Sequence, residues 1–315
     1  MRIALPLVLL IACPGGAFQG APQPGGATFS TDVALVVLHP TVRDRKGGFV
    51  TGLHQENFRV FEDGASQAIR LFQDEDTPVA VGLVVDNSGS MRRKRKDVAA
   101  AAVVFARSSN PRDEMFIVNF NEHVSFGLPN TKLFSASTSE LEIALNGIPA
   151  RGETALYDAI DAGLTHLKKA TLDKKVLIVV SDGGDNASSH TLAQVIDEAA
   201  RSDAIVYTIG LFDEYDEDKN PRVLRKLARL TGGEAYLPKE TGEAVRICQR
   251  IAADIRHQYT IGYVPSNPSF DNAYRRIRVT ATGPRGQKYS VRARAGYIAS
   301  AAAPEAGGIA REKPR

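Results

Sequence analysis

The chain has 315 residues, 43% apolar and 24% charged, which is enough for one large folded unit or two ordinary ones around a real core. Its net charge of +3 is too mild to point to nucleic acid or to a strongly anionic surface, and with only two cysteines, Cys13 and Cys248, a disulfide framework is excluded.

The N-terminus reads as a leader. Arg2 precedes an apolar run over 3–12, shorter than the roughly 17 residues a membrane-spanning helix needs. Leu10-Ile11-Ala12-Cys13 resembles a bacterial lipobox, in which the cysteine is lipidated and becomes the new N-terminus, so residues 1–13 form a signal segment; ordinary cleavage after Ala17 is the alternative. Either route exports the protein, to the periplasm or cell surface as a membrane-anchored lipoprotein or as a secreted one. Residues 14–27, dominated by Pro, Gly, Ala and Gln, read as a flexible linker.

Strand patterns follow at 33–38, 57–61 and 67–72, the last two joined by Glu62-Asp63-Gly64, whose Asp-Gly pair signals a hairpin. Together they make an N-terminal β segment over 28–77. From 78 to 257 the rhythm changes. Apolar strands at 79–85, 115–120, 176–180 and 204–211 alternate with helical patterns at 94–109, 155–170, 190–202, 220–230 and 241–257. That alternation predicts an α/β fold, a doubly wound, mostly parallel sheet covered on both faces. The short run 123–126 suits one antiparallel edge strand. Strand-like runs return at 258–264, 275–281 and 288–294 in a C-terminal β segment over 258–299. Neither flanking segment has enough apolar surface alone, so the two are expected to pair into a small antiparallel β-sandwich. The composition of 300–315 predicts disorder, and Cys248 reads as a small core residue.

Chemistry concentrates at three strand or helix ends. Asp86-Asn87-Ser88-Gly89-Ser90 follows an apolar strand and places a carboxylate and two hydroxyls at alternate positions. Thr154 stands at a helix mouth. Asp182 ends the strand Val-Leu-Ile-Val-Val-Ser-Asp and is followed by Gly183-Gly184. All three lie where open α/β sheets bind ligands. Hard cations prefer such oxygen donors, whereas Ser and Asp taken singly are ordinary helix caps.

These residues resemble the metal-ion-dependent adhesion site of the von Willebrand factor A domain, which uses Asp-x-Ser-x-Ser, a distant Thr and a distant Asp. The resemblance covers 78–257, and the flanking segments look like the related proteins of acidobacterial genomes. It implies a Mg²⁺ site, with Mn²⁺ and Ca²⁺ as alternatives, at Asp86, Ser88, Ser90, Thr154 and Asp182, completed by a carboxylate of a protein partner. Glu153 stands where the family often has Gly. The resemblance also implies that in members that switch, the last helix shifts along the sheet. Here helix 241–257 runs without Gly or Pro into the strand 258–264, and a rigid junction is the favoured reading.

The expected function is therefore non-enzymatic, metal-dependent adhesion or assembly, with membrane attachment through Cys13 and no nucleic-acid partner. A scaffold subunit of a cell-envelope complex with a structural metal is the alternative. A hydrolase is disfavoured: there is no Gly-x-Ser-x-Gly elbow and no paired-histidine metal motif. The basic run 92–96 lacks interleaved aromatics and reads as a solvated helix face. The acidic loop 213–218 reads as solvated or as a partner-selecting rim, and Asp185 and Asn186 read as turn formers. The pattern leaves the oligomeric state open.

Overall fold

In the computed structural model, residues 35–74, 76–146, 149–212 and 219–300 are described, all within one unit, Ala34–Arg315. The leader, Cys13, the linker, the acidic loop and the tail beyond Ser300 lie outside the described residues.

The chain opens with β1 (Val36–Leu38), β2 (Thr41–Arg43), β3 (Phe58–Glu62), β4 (Ala65–Gln67) and β5 (Ile69–Gln73). Asp63-Gly64 turns β3 into β4 as expected, with positive φ at both residues. The predicted strand 67–72, however, is divided. β4 stays with β3 while β5 crosses to pair with β12, so the residues on either side of Ala68 belong to two sheets, and Ile69 and Phe72 pack against the same core as Phe58 and Val60.

The middle of the chain gives β6 (Ala80–Asp86), α1 (Arg95–Arg107), β7 (Glu114–Phe120), β8 (Val124–Phe126), α2 (Thr138–Leu145), α3 (Leu156–Leu167), β9 (Lys175–Ser181), α4 (Leu192–Arg201), β10 (Ile205–Gly210), α5 (Pro221–Thr231), β11 (Ala235–Tyr236) and α6 (Ala244–Arg256). The strands form one six-stranded sheet in the order β11-β10-β9-β6-β7-β8. All its pairings are parallel except β7 with β8, the antiparallel edge. Every residue of β6 and β10 is buried, as β-branched strands covered on both faces must be. The start of α4 follows from its sequence: Thr191 and Gln194 form a reciprocal capping box. α5 begins with Pro221 at its first turn and ends on left-handed Gly232.

The chain closes with β12 (Thr260–Tyr263), β13 (Tyr274–Ala281), β14 (Ser290–Arg292) and β15 (Gly296–Ile298). Here the two flanking segments do pair. β12 lies between β1 and β5, β13 lies between β3 and β15, and β14 pairs with β2. Their inner faces share one core in which Phe58, Val60, Tyr259, Ile261, Ile277 and Val279 pack together, separate from the core of the central sheet.

Candidate metal centre

β6 delivers Asp86 to the carboxyl edge of the central sheet with only 3% of its surface exposed. The chain must turn there, and Asp86 organises the turn: Oδ1 accepts the Ser88 N–H at 2.8 Å, while Oδ2 accepts the Ser181 hydroxyl from the end of β9 at 2.7 Å. The Ser88 and Ser90 hydroxyl oxygens lie 3.1 Å apart, and Ser90 donates to Asp182 Oδ2 at 2.6 Å. Asp182 is held in turn by the Gly184 N–H on Oδ1 at 3.1 Å. Asp86, Ser88, Ser90 and Asp182 thus form one polar cluster. Its base is buried, and Gly89 and Ser90 are exposed, so it opens to solvent.

Thr154 belongs to the adjacent loop. The Gly89 N–H donates to Gly152 O at 3.0 Å and the Arg151 N–H to Asn87 O at 2.9 Å, which docks that loop on the Asp86 turn. Gly152 has φ +80°, a conformation that calls for glycine, and the Glu122 carboxylate lies over the space that a Cβ would take. The Thr154 N–H donates to Asn186 Oδ1 at 2.8 Å, and Thr154 O accepts the Asn186 and Ala187 N–H groups. No hydrogen bond among the described residues joins the Thr154 hydroxyl to the other four side chains. The structure therefore gathers four of the five residues directly and brings the fifth beside them through its backbone.

Asp185 and Asn186 do more than turn the chain. Asp185 Oδ1 accepts the Tyr157 N–H at 3.0 Å, capping the first turn of α3, while Asn186 fixes the backbone of Thr154. Their position straight after the double glycine was the one sequence signal for this. The run 92–96 needs a correction. Arg92, Arg93 and Lys96 are exposed, but Lys94 is 3% exposed and donates to Leu211 O at 2.8 Å, and Arg95 donates to Asn87 Oδ1. The end of β10 and the Asp86 turn claim these two cations, so the run is not one solvated face.

Burial pushes the Asp86 carboxyl up to about 6, and the charge of Asp182 adds to this against the opposing hydrogen bonds from Ser88 and Ser181. Neither carboxylate has an ion-pair partner among the described residues. Two buried, uncompensated carboxylates with adjacent hydroxyls are a donor set that fits a hard divalent cation. Among the described residues no three His, Cys, Asp or Glu side chains gather as a metal site, and this cluster itself combines two carboxylates with hydroxyls. No hydrogen bond among the described residues joins a histidine to Ser88 or Ser90, and His39, His166, His190 and His257 bond instead to Thr260, Leu133, Asp158 and Ala253.

Residues 81–184 match the von Willebrand factor type A domain family, a span that contains all five oxygen-bearing positions. No curated protein matches the chain. Among solved structures it is similar to a von Willebrand factor type A protein from Catenulispora acidiphila, at 15% identity over 87% of this chain and 76% of that one, with TM-score 0.48. It is also similar to the von Willebrand factor domain of a type V pilus tip protein from Porphyromonas gingivalis (14% identity, 57% and 97% covered, TM-score 0.46). A third similarity is to an aerotolerance-related membrane protein from Bacteroides fragilis (13% identity, 56% and 98% covered, TM-score 0.44). Among the described residues no helix is long and apolar enough to cross a membrane.

Proposed function

We propose that this is a non-enzymatic, exported binding protein that holds Mg²⁺ with Asp86, Ser88, Ser90, Thr154 and Asp182 and engages an acidic side chain of a protein partner. The observation that carries this reading is the uncompensated carboxylate pair, bonded through Ser90 into one cluster and open to solvent. A bound cation would offset the repulsion between Asp86 and Asp182, and the exposed side leaves room for one further oxygen from outside. Asn87 and Asn186 support a preorganised site, because Asn87 Nδ2 donates to Val85 O beside Asp86 and Asn186 Oδ1 holds the Thr154 N–H.

The test is differential scanning fluorimetry with and without Mg²⁺. The unaltered chain should melt higher with Mg²⁺, and Asp86→Ala and Thr154→Ala should lose that shift while keeping a folded α/β circular dichroism spectrum. An unchanged shift in both variants would remove the metal assignment. For the partner, chelator should release whatever protein co-purifies, and retention in chelator would favour a scaffold with a structural metal.

A further inference from the structure

The mild net charge hides a strong segregation. Between residues 258 and 299 stand seven basic residues against one acidic, Asp271, although the whole chain carries only +3. Three of the seven are spent inside: Arg275 pairs with Glu62, Arg292 pairs with Asp254, and Arg294 donates to Ala200 O. Others face water in a pattern fixed by strand register. Along β13 the side chains alternate, so Ile277, Val279 and Ala281 enter the core while Arg276 and Arg278 stand exposed on the outer face, roughly 7 Å apart.

The same face continues across the sheet. Arg278 lies opposite Phe61, with its guanidinium 4.2 Å from the ring centre, and Arg59 lies opposite Thr280. Lys288 bridges to Thr282 at the far end. Arg59, Arg276, Arg278 and Lys288 form no ion pair among the described residues; Arg59 is steadied by the Glu56 and Phe58 carbonyls. Asp63 borders the face, and its Oδ1 accepts the Arg276 N–H; Glu56, exposed, stands beside Arg59.

We propose that this outer face of the β15-β13-β3-β4 sheet docks on the anionic, phosphate-bearing surface of a lipid bilayer. Charge complementarity argues for an anionic occupant, and the shape of the face decides which one. A specific protein interface needs a desolvated apolar anchor at its centre, and here the central ring, Phe61, is covered by Arg278. Single-stranded nucleic acid needs a run of open aromatic faces to stack on; here Arg278 covers Phe61, and Tyr274, exposed at the start of β13 on the same face, lies against Gly296 apart from it. A layer of phosphates asks only for cations spread over a flat surface, each of which contributes additively within a Debye length.

The test is vesicle flotation with the full chain carrying Cys13→Ser, so that no acyl chain contributes. Vesicles of phosphatidylcholine alone are compared with vesicles containing phosphatidylglycerol. The chain should float with the anionic vesicles in excess over the neutral ones, and the excess should fall as salt rises. Replacing Arg59, Arg276 and Arg278 together by Gln should weaken anionic binding by about a hundredfold, at roughly fivefold per cation, whereas replacing all three by Lys should preserve it. All three side chains are exposed, and an unchanged melting temperature checks the fold. Equal binding to both vesicle types overturns the proposal, as does anionic binding that survives the Gln variant. Retention on soluble polyglutamate or an oligonucleotide with no vesicle binding overturns it too.

Discussion

Asp86 is stabilised as an anion by two hydrogen bonds and opposed by burial and by Asp182, and the opposition prevails. Its carboxyl titrates at about 6 in the folded chain against about 3.9 when unfolded, so between those values the folded state binds the proton more tightly. This contribution to stability is complete at low pH and is lost as pH rises through about 6, at a cost on the order of 2–3 kcal/mol in the cation-free protein. Denaturant titrations in chelator should show it, and Asp86→Asn should flatten that part of the profile. Protons and cation compete for the same oxygens, so the Mg²⁺-induced melting shift should be larger at pH 7 than at pH 5. A shift independent of pH would show that Asp86 is not at the cation. Asn186 makes a separate prediction. It holds Thr154 without being a donor to the site, so Asn186→Ala should weaken Mg²⁺ binding by about 10-fold or more, as loss of an outer-shell partner does. Isothermal titration calorimetry on a variant with an unchanged melting temperature would check it.

At the scale of elements, close packing fixes the layer between α3 and the sheet, where Gly163 of α3 lies against Leu177 and Val84. Gly82 in β6 faces Phe116 and Leu177 on the neighbouring strands, and a Cβ there would lie 2.4 Å from Phe116 Cζ and 2.7 Å from Leu177 Cδ1. Gly82→Ala should therefore cost about 1–3 kcal/mol in urea unfolding by overpacking this layer; a cost near zero would mean that the two side chains rearrange freely. The strands of this sheet were legible in the sequence because β6, β7, β9 and β10 are apolar runs of a length that fits only buried strands. β11, with two residues, was too short to leave a pattern, and α2 was missed because its eight residues carry little amphipathic contrast around the Ser137 cap. The crossing at Ala68 escaped for a different reason. Alternation continues from Gln67 through Leu71, so nothing local marks the point where the chain changes sheets. In the site, residue types and strand ends were legible. What Lys94, Asp185 and Asn186 do was not, because each acts through a partner far along the chain.

At the scale of the molecule, α6 decides whether the Asp86 edge of the central sheet and the β-sandwich can move relative to each other. Asp254, fully buried near its C-terminal end, accepts from Arg43 on β2, Arg292 on β14 and Tyr207 on β10. Burial alone would raise its carboxyl, but Arg292, with the Tyr207 and Arg43 hydrogen bonds, overrides this and holds it below the ordinary value. One and two residues further on, Lys174 donates to Ile255 O, and Arg256 pairs with Asp113 at 2.7 Å. Sliding α6 along the sheet would break these bonds together and leave charges buried without partners, a cost that a cation gaining one or two oxygens does not offset. The junction into β12 is therefore a rigid strut. Hydrogen exchange over residues 259–295 should be the same with and without Mg²⁺, and a cation-dependent change there would show that α6 moves. Asp254→Ala should cost about 3–5 kcal/mol, since it leaves Arg292 without an ion-pair partner and Arg43 with Glu234 alone, and Asp254→Asn should cost less because it keeps an acceptor oxygen. If Asp254 is what couples the two cores, calorimetry of the Ala variant should split the single unfolding transition into two, with only the one that reports the central sheet shifting on addition of Mg²⁺.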